Sequence, residues 1–436
     1  MPQVIWREFI PEDRMREILR NRDFSLLWAS GAFDNTGRWM DTVVMGLLVL
    51  QQTDSPFQVA LLFVVRWFPM FIFSVFSGMI ADRVNRWRVI LGTRCGSVAV
   101  TAVVLCLVVF DVIRPWHLFL ASMALGWIYV LEFPSRRSMI YEIVGNSHIV
   151  SAMSLETFAL TIGRIVGPLT AGFLIELSGF TAPYIFLLVG YALALGSFSL
   201  IKTRLPAPSS GPSSMRQNFI DGLTYAFNHR VIRGVLAITL IMNALAFSVE
   251  SLFPVVAKDH LNVGAGLTGV LISALSIGSF IAAGAIAWFG VIKFHGRVFC
   301  SGVVMQFASL LLFALSPWYP LSFVLMLAVG FGSAGFGTMQ STIILMTASP
   351  EKRGSSLGVL GLCIGVAAFG GLMVGAVANL MGAQVAVIIS ASLGLLLLVP
   401  AILYSHLVWH PIAQPDASQS SDSTMSCASA HPNQLP

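Results

Sequence analysis

Asp34, Arg38 and Asp41 stand inside an apolar run near the start of the chain, spaced by four and then three positions. Those intervals set all three on one face of an α-helix, and their rise carries them across the middle of a bilayer. Hydrocarbon cannot solvate such groups, so that face must look into a helix bundle or a water-filled cavity. Arg66, in the next apolar run and close in depth to Asp41, is the partner that position predicts. Further along, Glu132 falls toward the inner part of a fourth run, Glu156 and Arg164 in a fifth, and Glu250 toward the outer part of a seventh. A carboxylate isolated in a low-dielectric cavity can take up a proton near neutral pH, which is the chemistry of proton coupling. One held by an arginine stays ionised and serves structure.

The elements that must carry these groups are membrane spans. The chain has 436 residues, 56% hydrophobic and only 10% charged, with a mean hydropathy of +0.82. Soluble domains carry about 25% charged residues, and a spanning helix needs about 20 apolar ones. The sequence predicts an all-α membrane protein with twelve transmembrane helices in two pseudo-symmetric six-helix halves. Spans one to six are expected near 24–50, 57–80, 89–110, 116–133, 150–177 and 182–201. Spans seven to twelve follow near 231–256, 266–289, 298–315, 319–346, 355–381 and 383–407. Around them, 1–23 reads as a cytoplasmic amphipathic segment and 202–230 as a Pro-, Ser- and Gly-rich cytoplasmic linker. The halves are then 24–201 and 231–407, and 408–436 reads as a disordered cytoplasmic tail.

With even-numbered connections inside, the cytoplasmic segments hold 19 of the 25 Lys and Arg, and Arg114 and Lys258 alone lie on the opposite face. The positive-inside rule therefore places both termini in the cytoplasm and the protein in the plasma membrane. The net charge of +5 is scattered over short loops and is no footprint for nucleic acid. The five cysteines form no CxxC pair and no metal-spaced set with histidine, so neither metal nor cofactor is expected. None of the four lysines follows a glycine, which excludes a phosphate-binding GxxxxGK[ST] loop. With no Gly-x-Ser-x-Gly elbow and no His-Glu-x-x-His either, the sequence reads as a transporter and not an enzyme, a monomer whose partners are a small molecule, protons and lipid.

Small residues repeat between the halves. Gly167-Pro168-x-x-x-Gly172 returns 203 positions later as Gly370-Gly371-x-x-x-Gly375, and Gly78-x-x-Ala81 returns 206 positions later as Gly284-x-x-Ala287. The near-equal offsets point to duplication, the usual origin of paired transporter halves.

The stretch Gly78-x-x-Ala81-Asp82-Arg83-x-x-Arg86-x-Arg88 resembles the loop between helices two and three of the major facilitator superfamily. Gly163-Arg164-x-x-Gly167-Pro168-x-x-x-Gly172 resembles the Gly-rich motif of its exporter and antiporter branches, where small residues pack against the other half. Trp28, Gly37-Arg38-Trp39-Met40, Asp54-Ser55-Pro56, Glu132-Phe133-Pro134-Ser135-Arg136 and Arg353-Gly354 are similar to the branch that includes enterobactin exporters and macrolide efflux pumps. Arg38 departs from it, taking a place where that branch more often has Asp. The resemblance implies alternating access, a cytoplasmic gating latch at Gly78, Asp82, Arg83, Arg86 and Arg88, and spans one, four, seven and ten around a central cavity. It makes Asp34, Glu132, Glu250 and Asp41, in that order, candidates for proton or substrate binding. Proton-coupled efflux of an amphipathic molecule, such as a drug or siderophore-like compound, is the expected function. Nutrient import or uniport, lipid transport, and a non-transporting sensor or scaffold stay open beside it.

Overall fold

The computed structural model describes residues 18–83, 85–202, 224–225, 227–289, 294–348 and 353–405. The side chains of Gly78, Asp82 and Arg83, most of the linker and all of the tail lie outside the described residues. Within them the chain is helical, with no strand.

The first half begins with α1 (Arg22–Thr53), capped by Asn21, whose side-chain oxygen accepts from the Asp23 and Phe24 amides. Then come α2 (Pro56–Arg83) and α3 (Arg86–Val109). Next are α4 (Pro115–Gly145), α5 (Ser151–Ser178) and α6 (Thr181–Ser199). Between α4 and α5 the chain turns at Gly145, at φ 69° and ψ −179°, a backbone state that side chains with a Cβ rarely adopt.

The second half comprises α7 (Arg230–Asp259), α8 (Ala265–Phe289), α9 (His295–Leu315), α10 (Tyr319–Thr347), α11 (Arg353–Gly365), α12 (Ala367–Met381) and α13 (Ala383–Ser405). Two of these elements depart from a straight helix. α7 loosens into a π-turn at Met242–Ala246 and tightens into a 3₁₀ stretch at Phe247–Leu252, and α11 and α12 are one rod interrupted at Val366. Such interruptions are tolerated at membrane depth only where neighbours satisfy the freed groups. Here the Ser248 hydroxyl donates to the Asn243 carbonyl at 3.1 Å.

Among the described residues, ten helices are long and apolar enough to cross a membrane. α1 falls short of that measure because Asp23, Asp34, Arg38 and Asp41 dilute its apolar character, and α2 contributes a shorter apolar stretch, Pro56–Ile72. Large apolar side chains such as Leu177, Leu380 and Phe110 face outward on the bundle, as lipid contact requires.

The halves meet in a crossed arrangement. α5 rests on α1 of its own half and on α8 of the other, while α12 rests on α7 of its own half and on α2 of the other. The glycines of the Gly167–Gly172 and Gly370–Gly375 repeats lie at these crossings. A Cβ on Gly167 would come within 2.7 Å of the Met40 nitrogen on α1, and one on Gly371 within 2.9 Å of Val64 on α2. The Gly-rich motif thus divides its contacts. Gly163 and Gly167 seat α5 against α1 within the half, and Pro168 and Gly172 press on α8 across the divide.

At the end of the bundle that carries Thr53 and Pro56 the halves are tied by polar contacts. Lys258 donates to Asp54 at 2.6 Å, and the Gly266 amide at the start of α8 donates to Glu176 at 2.7 Å. Deeper in, the Ser273 hydroxyl on α8 donates to the Ile165 carbonyl on α5 at 2.8 Å.

Candidate functional site

The buried charges sort into three groups. The largest joins α1, α3, α4 and α5 inside the first half, with Arg94 at its centre and no solvent exposure. Arg94 donates through Nη1 and Nη2 to Glu132 at 3.1 and 2.6 Å, pairs with Asp34 Oδ1, and donates through Nε to the Ser30 hydroxyl at 3.2 Å. The other oxygen of Asp34 accepts from Arg38 at 2.6 Å, and Arg38 lies 3.7 Å from Glu132 with its guanidinium 4.0 Å from the Tyr129 ring centroid. Farther along α4, Arg136 holds Glu156 of α5 through two bonds of 2.8 Å. Three acids and three arginines make this cluster formally neutral, and bidentate geometry is what lets a buried pair offset its desolvation.

Arg136 reaches that position because α4 does not stop where the sequence suggests. The expected end of span four at Phe133 is overrun: the helix passes through Pro134 and continues to Gly145. Pro134 leaves the Val130 carbonyl without its helical donor, and beside it the Ser135 hydroxyl donates to the Leu131 carbonyl at 2.9 Å. Gly31 makes the remaining room, since a Cβ there would overlap the Arg136 guanidinium.

The second group is Asp41 with Arg66, joined at 2.6 Å across α1 and α2. The third crosses between the halves. Arg164 of α5 approaches both oxygens of Glu250 on the 3₁₀ stretch of α7, through Nη2 alone, at 3.4 and 3.3 Å. Its guanidinium rests 4.6 Å from the Trp39 ring centroid.

This third pair borders two hollows between the halves. The larger, about 370 Å³, is walled by Trp39, Trp67, Tyr129, Phe247, Phe336 and the breaks of α7 and α11–α12. The smaller, about 70 Å³, lies beside Arg66 and reaches α8 at Ile272, Leu275 and Ser276. Arg164, Glu250, Trp39 and Phe63 belong to both walls, so the cross-half pair stands as a partition between them.

None of the four candidate acids is isolated: Asp34 and Glu132 share Arg94, Asp41 has Arg66, and Glu250 has Arg164. Arg94 satisfies the rule that picks out Arg38, an ionisable residue inside an apolar run, but no short spacing links it to another charge. Arg136 is hidden by its place beside Arg137 in what reads as a basic loop. In the gating loop, Arg86 pairs with Glu142 of α4, while Arg88 is exposed. Among the described residues no cluster of His, Cys, Asp or Glu could hold a metal.

Two helical halves crossing around a hollow, with an ion pair bridging them at mid-depth, have the form of a membrane carrier. Comparison with known proteins gives the family: residues 17–428 match the family described as transmembrane secretion effector, and the chain belongs to it. It is a multi-pass membrane transporter of the major facilitator type, a class of carriers and not of enzymes. It is 25% identical over 353 residues to the enterobactin exporter EntS of Shigella boydii, covering 77% of this chain and 83% of that protein. EntS from Escherichia coli O1:K1 matches at the same identity and coverage. Among solved structures, a POT family transporter in complex with a thioalcohol-conjugated peptide superposes with a TM-score of 0.74 at 11% identity, covering 89% of this chain and 97% of that one. The nucleoside transporter NupG gives 0.69 at 17%, covering 88% and 98%. These two share the fold.

Proposed function

We propose that the protein is a secondary active transporter with twelve spans and both termini in the cytoplasm. It exports an amphipathic small molecule, such as a drug or siderophore-like compound, in exchange for protons by alternating access. The observation that carries this reading is the Arg164–Glu250 pair, which joins the halves inside the hollow at 3.3 Å. A proton on Glu250 removes the attraction, so occupancy of one carboxyl sets how firmly the halves hold each other at mid-depth. Asp34, Glu132 and Asp41 each keep an arginine at 2.6 Å. They and Arg38 and Arg66 are read as fixing helices, which moves Glu250 to the head of the coupling candidates.

The 19 basic residues on the cytoplasmic segments support the orientation, which puts the polar ties at the Thr53 end on the outer side. The secretion-effector family and its exporter relatives support efflux in place of uptake. The loop from Gly78 to Arg88, with Asp82 at its centre, serves as the cytoplasmic latch, and the protein acts as a monomer without nucleic acid.

In proteoliposomes, wild-type protein should drive a fluorescent amphiphile against its gradient when an opposing proton gradient is imposed. Glu250→Gln should leave folding intact and abolish the dependence on that gradient. Exchange that still follows pH in Glu250→Gln would overturn the coupling assignment.

A further inference from the structure

We propose that the larger hollow selects an aromatic molecule with a negative charge, and that Arg164 is the group that takes up that charge. The inference rests on the transport reading, which it narrows to a substrate class.

The first reason is the asymmetry of the partition pair. A guanidinium cannot lose its proton in a protein, whereas a carboxylate can gain one. The hollow is therefore either neutral, with both partners ionised, or positive, with Glu250 protonated. It never becomes negative through this pair. The other charged and titratable groups around it leave that sign intact. α1 and α2 bring the closed Asp41–Arg66 pair, α1 also brings Arg38 bound to Asp34, and α4 brings the Tyr129 hydroxyl. From the second half, α8 and α10 add Ser276 and Gln340, which carry no charge. An uncompensated guanidinium in an apolar hollow is costly, and an anionic ligand is what offsets it.

The second reason is the way Arg164 is held. Arg94 spends all three nitrogens on Glu132, Asp34 and Ser30. Arg164 uses only Nη2 on Glu250, at 3.3 Å or more, and among the described residues its Nε and Nη1 make no hydrogen bond. Its side chain is 28% exposed against 15% for Glu250, and the Trp39 face braces it from behind. A fixed planar fork with spare donors suits a carboxylate or similar oxyanion.

The third reason is Gln340 on the wall. It is 6% exposed, and its Oε1 is buried without a hydrogen-bond partner. A hydroxyl or N–H on the ligand would satisfy it. Trp67, Phe247 and Phe336 supply ring faces around that point, and about 370 Å³ is the scale of a small-molecule site.

The test uses three ligands of one shape on the purified full-length protein: 2-naphthoate, 2-naphthamide and 2-naphthylmethylammonium, titrated by calorimetry. The anion should bind about tenfold more tightly than the cation, equivalent to about 1.4 kcal/mol. Arg164→Gln should erase that preference, Arg164→Lys should retain most of it, and Glu250→Gln should strengthen naphthoate binding. Should Arg164→Gln fail to keep the wild-type melting temperature, the Arg164→Lys and Glu250→Gln titrations decide alone. Preference for the ammonium with loss in Glu250→Gln, or a preference for naphthoate that these variants leave unaltered, overturns the assignment. Binding of none of the three overturns it too. Gradient-driven amphiphile flux by the wild type, measured alongside, separates the two levels: if flux persists, the substrate class falls and the transporter stands, and if flux is absent both fall.

Discussion

The two halves share one architecture and hold it by different means. In the first half, Asp34, Arg38, Asp41, Arg66, Arg94, Glu132, Arg136 and Glu156 are bonded to one another across α1 to α5. In the second, Glu250 is the one charged side chain away from the helix ends among the described residues of α7 to α13, and it bonds to the other half. With no such network, the second half relies on close backbone approach, which the first half also uses at Gly126, Gly163 and Gly167. A Cβ on Gly330 would overlap the Leu275 carbonyl, one on Gly278 the Leu327 carbonyl, and one on Gly302 would come 2.8 Å from the Gly332 carbonyl. Charge pairs in low dielectric fix direction and register, whereas small-residue contacts depend on close approach alone. The first half carries the ionic network, and the second carries the π-turn and the broken α11–α12 rod.

That contrast can be broken most forcefully at Arg94. Arg94→Met strands Asp34 and Glu132 together without their shared cation, and removing one member of a buried ionic group costs about 3–5 kcal/mol. Thermal melting in detergent should show severe loss of folded protein. A melting point near wild type would mean that the cluster does not hold the first half. On the other side, Gly330→Val drives a side chain into the Leu275 carbonyl, and overpacking of this kind costs about 1–3 kcal/mol. Its melting point should fall clearly but less than that of Arg94→Met; the reverse order would sink the division of labour. Glu250→Gln leaves Arg164 without its counter-charge, so its melting point should fall, but by less than that of Arg94→Met because Arg164 is 28% exposed, while the pH response of flux is removed. A large stability loss there would recast the pair as structural. Smallest of all, Lys258→Ala cuts a tie whose side chains are 47% and 83% exposed. Its stability effect should stay within about 0.5 kcal/mol, readable as an almost unchanged melting curve.

Much of this arrangement was legible in the sequence because helical spacing is local. The four-and-three interval of Asp34, Arg38 and Asp41 sets their shared face, and depth along a span brings Arg66 beside Asp41. Partners between distant helices obey no such spacing. That Arg94 would reach Asp34 and Glu132 depends on how α3 packs between α1 and α4. That Arg136 is interior depends on α4 running through Pro134, where soluble-protein habits place a stop. That Asp34 and Glu132 share one cation is hidden for the same reason, since a carboxylate's nearest cation is set by tertiary packing. Glu250 could be singled out as a buried acid, but its place between two hollows follows from the irregular turn of α7, which the apolar run around it conceals.

The empty side of Gly31 carries an evolutionary corollary. The guanidinium of Arg136 occupies the volume that any larger residue at position 31 would claim. The two sites are therefore coupled: with alanine or serine at 31 the guanidinium must shift from this place, and relatives that carry such a residue should show a shorter side chain at 136 or a changed partner at 156. Such paired substitutions would be visible in an alignment of relatives, with no assay needed.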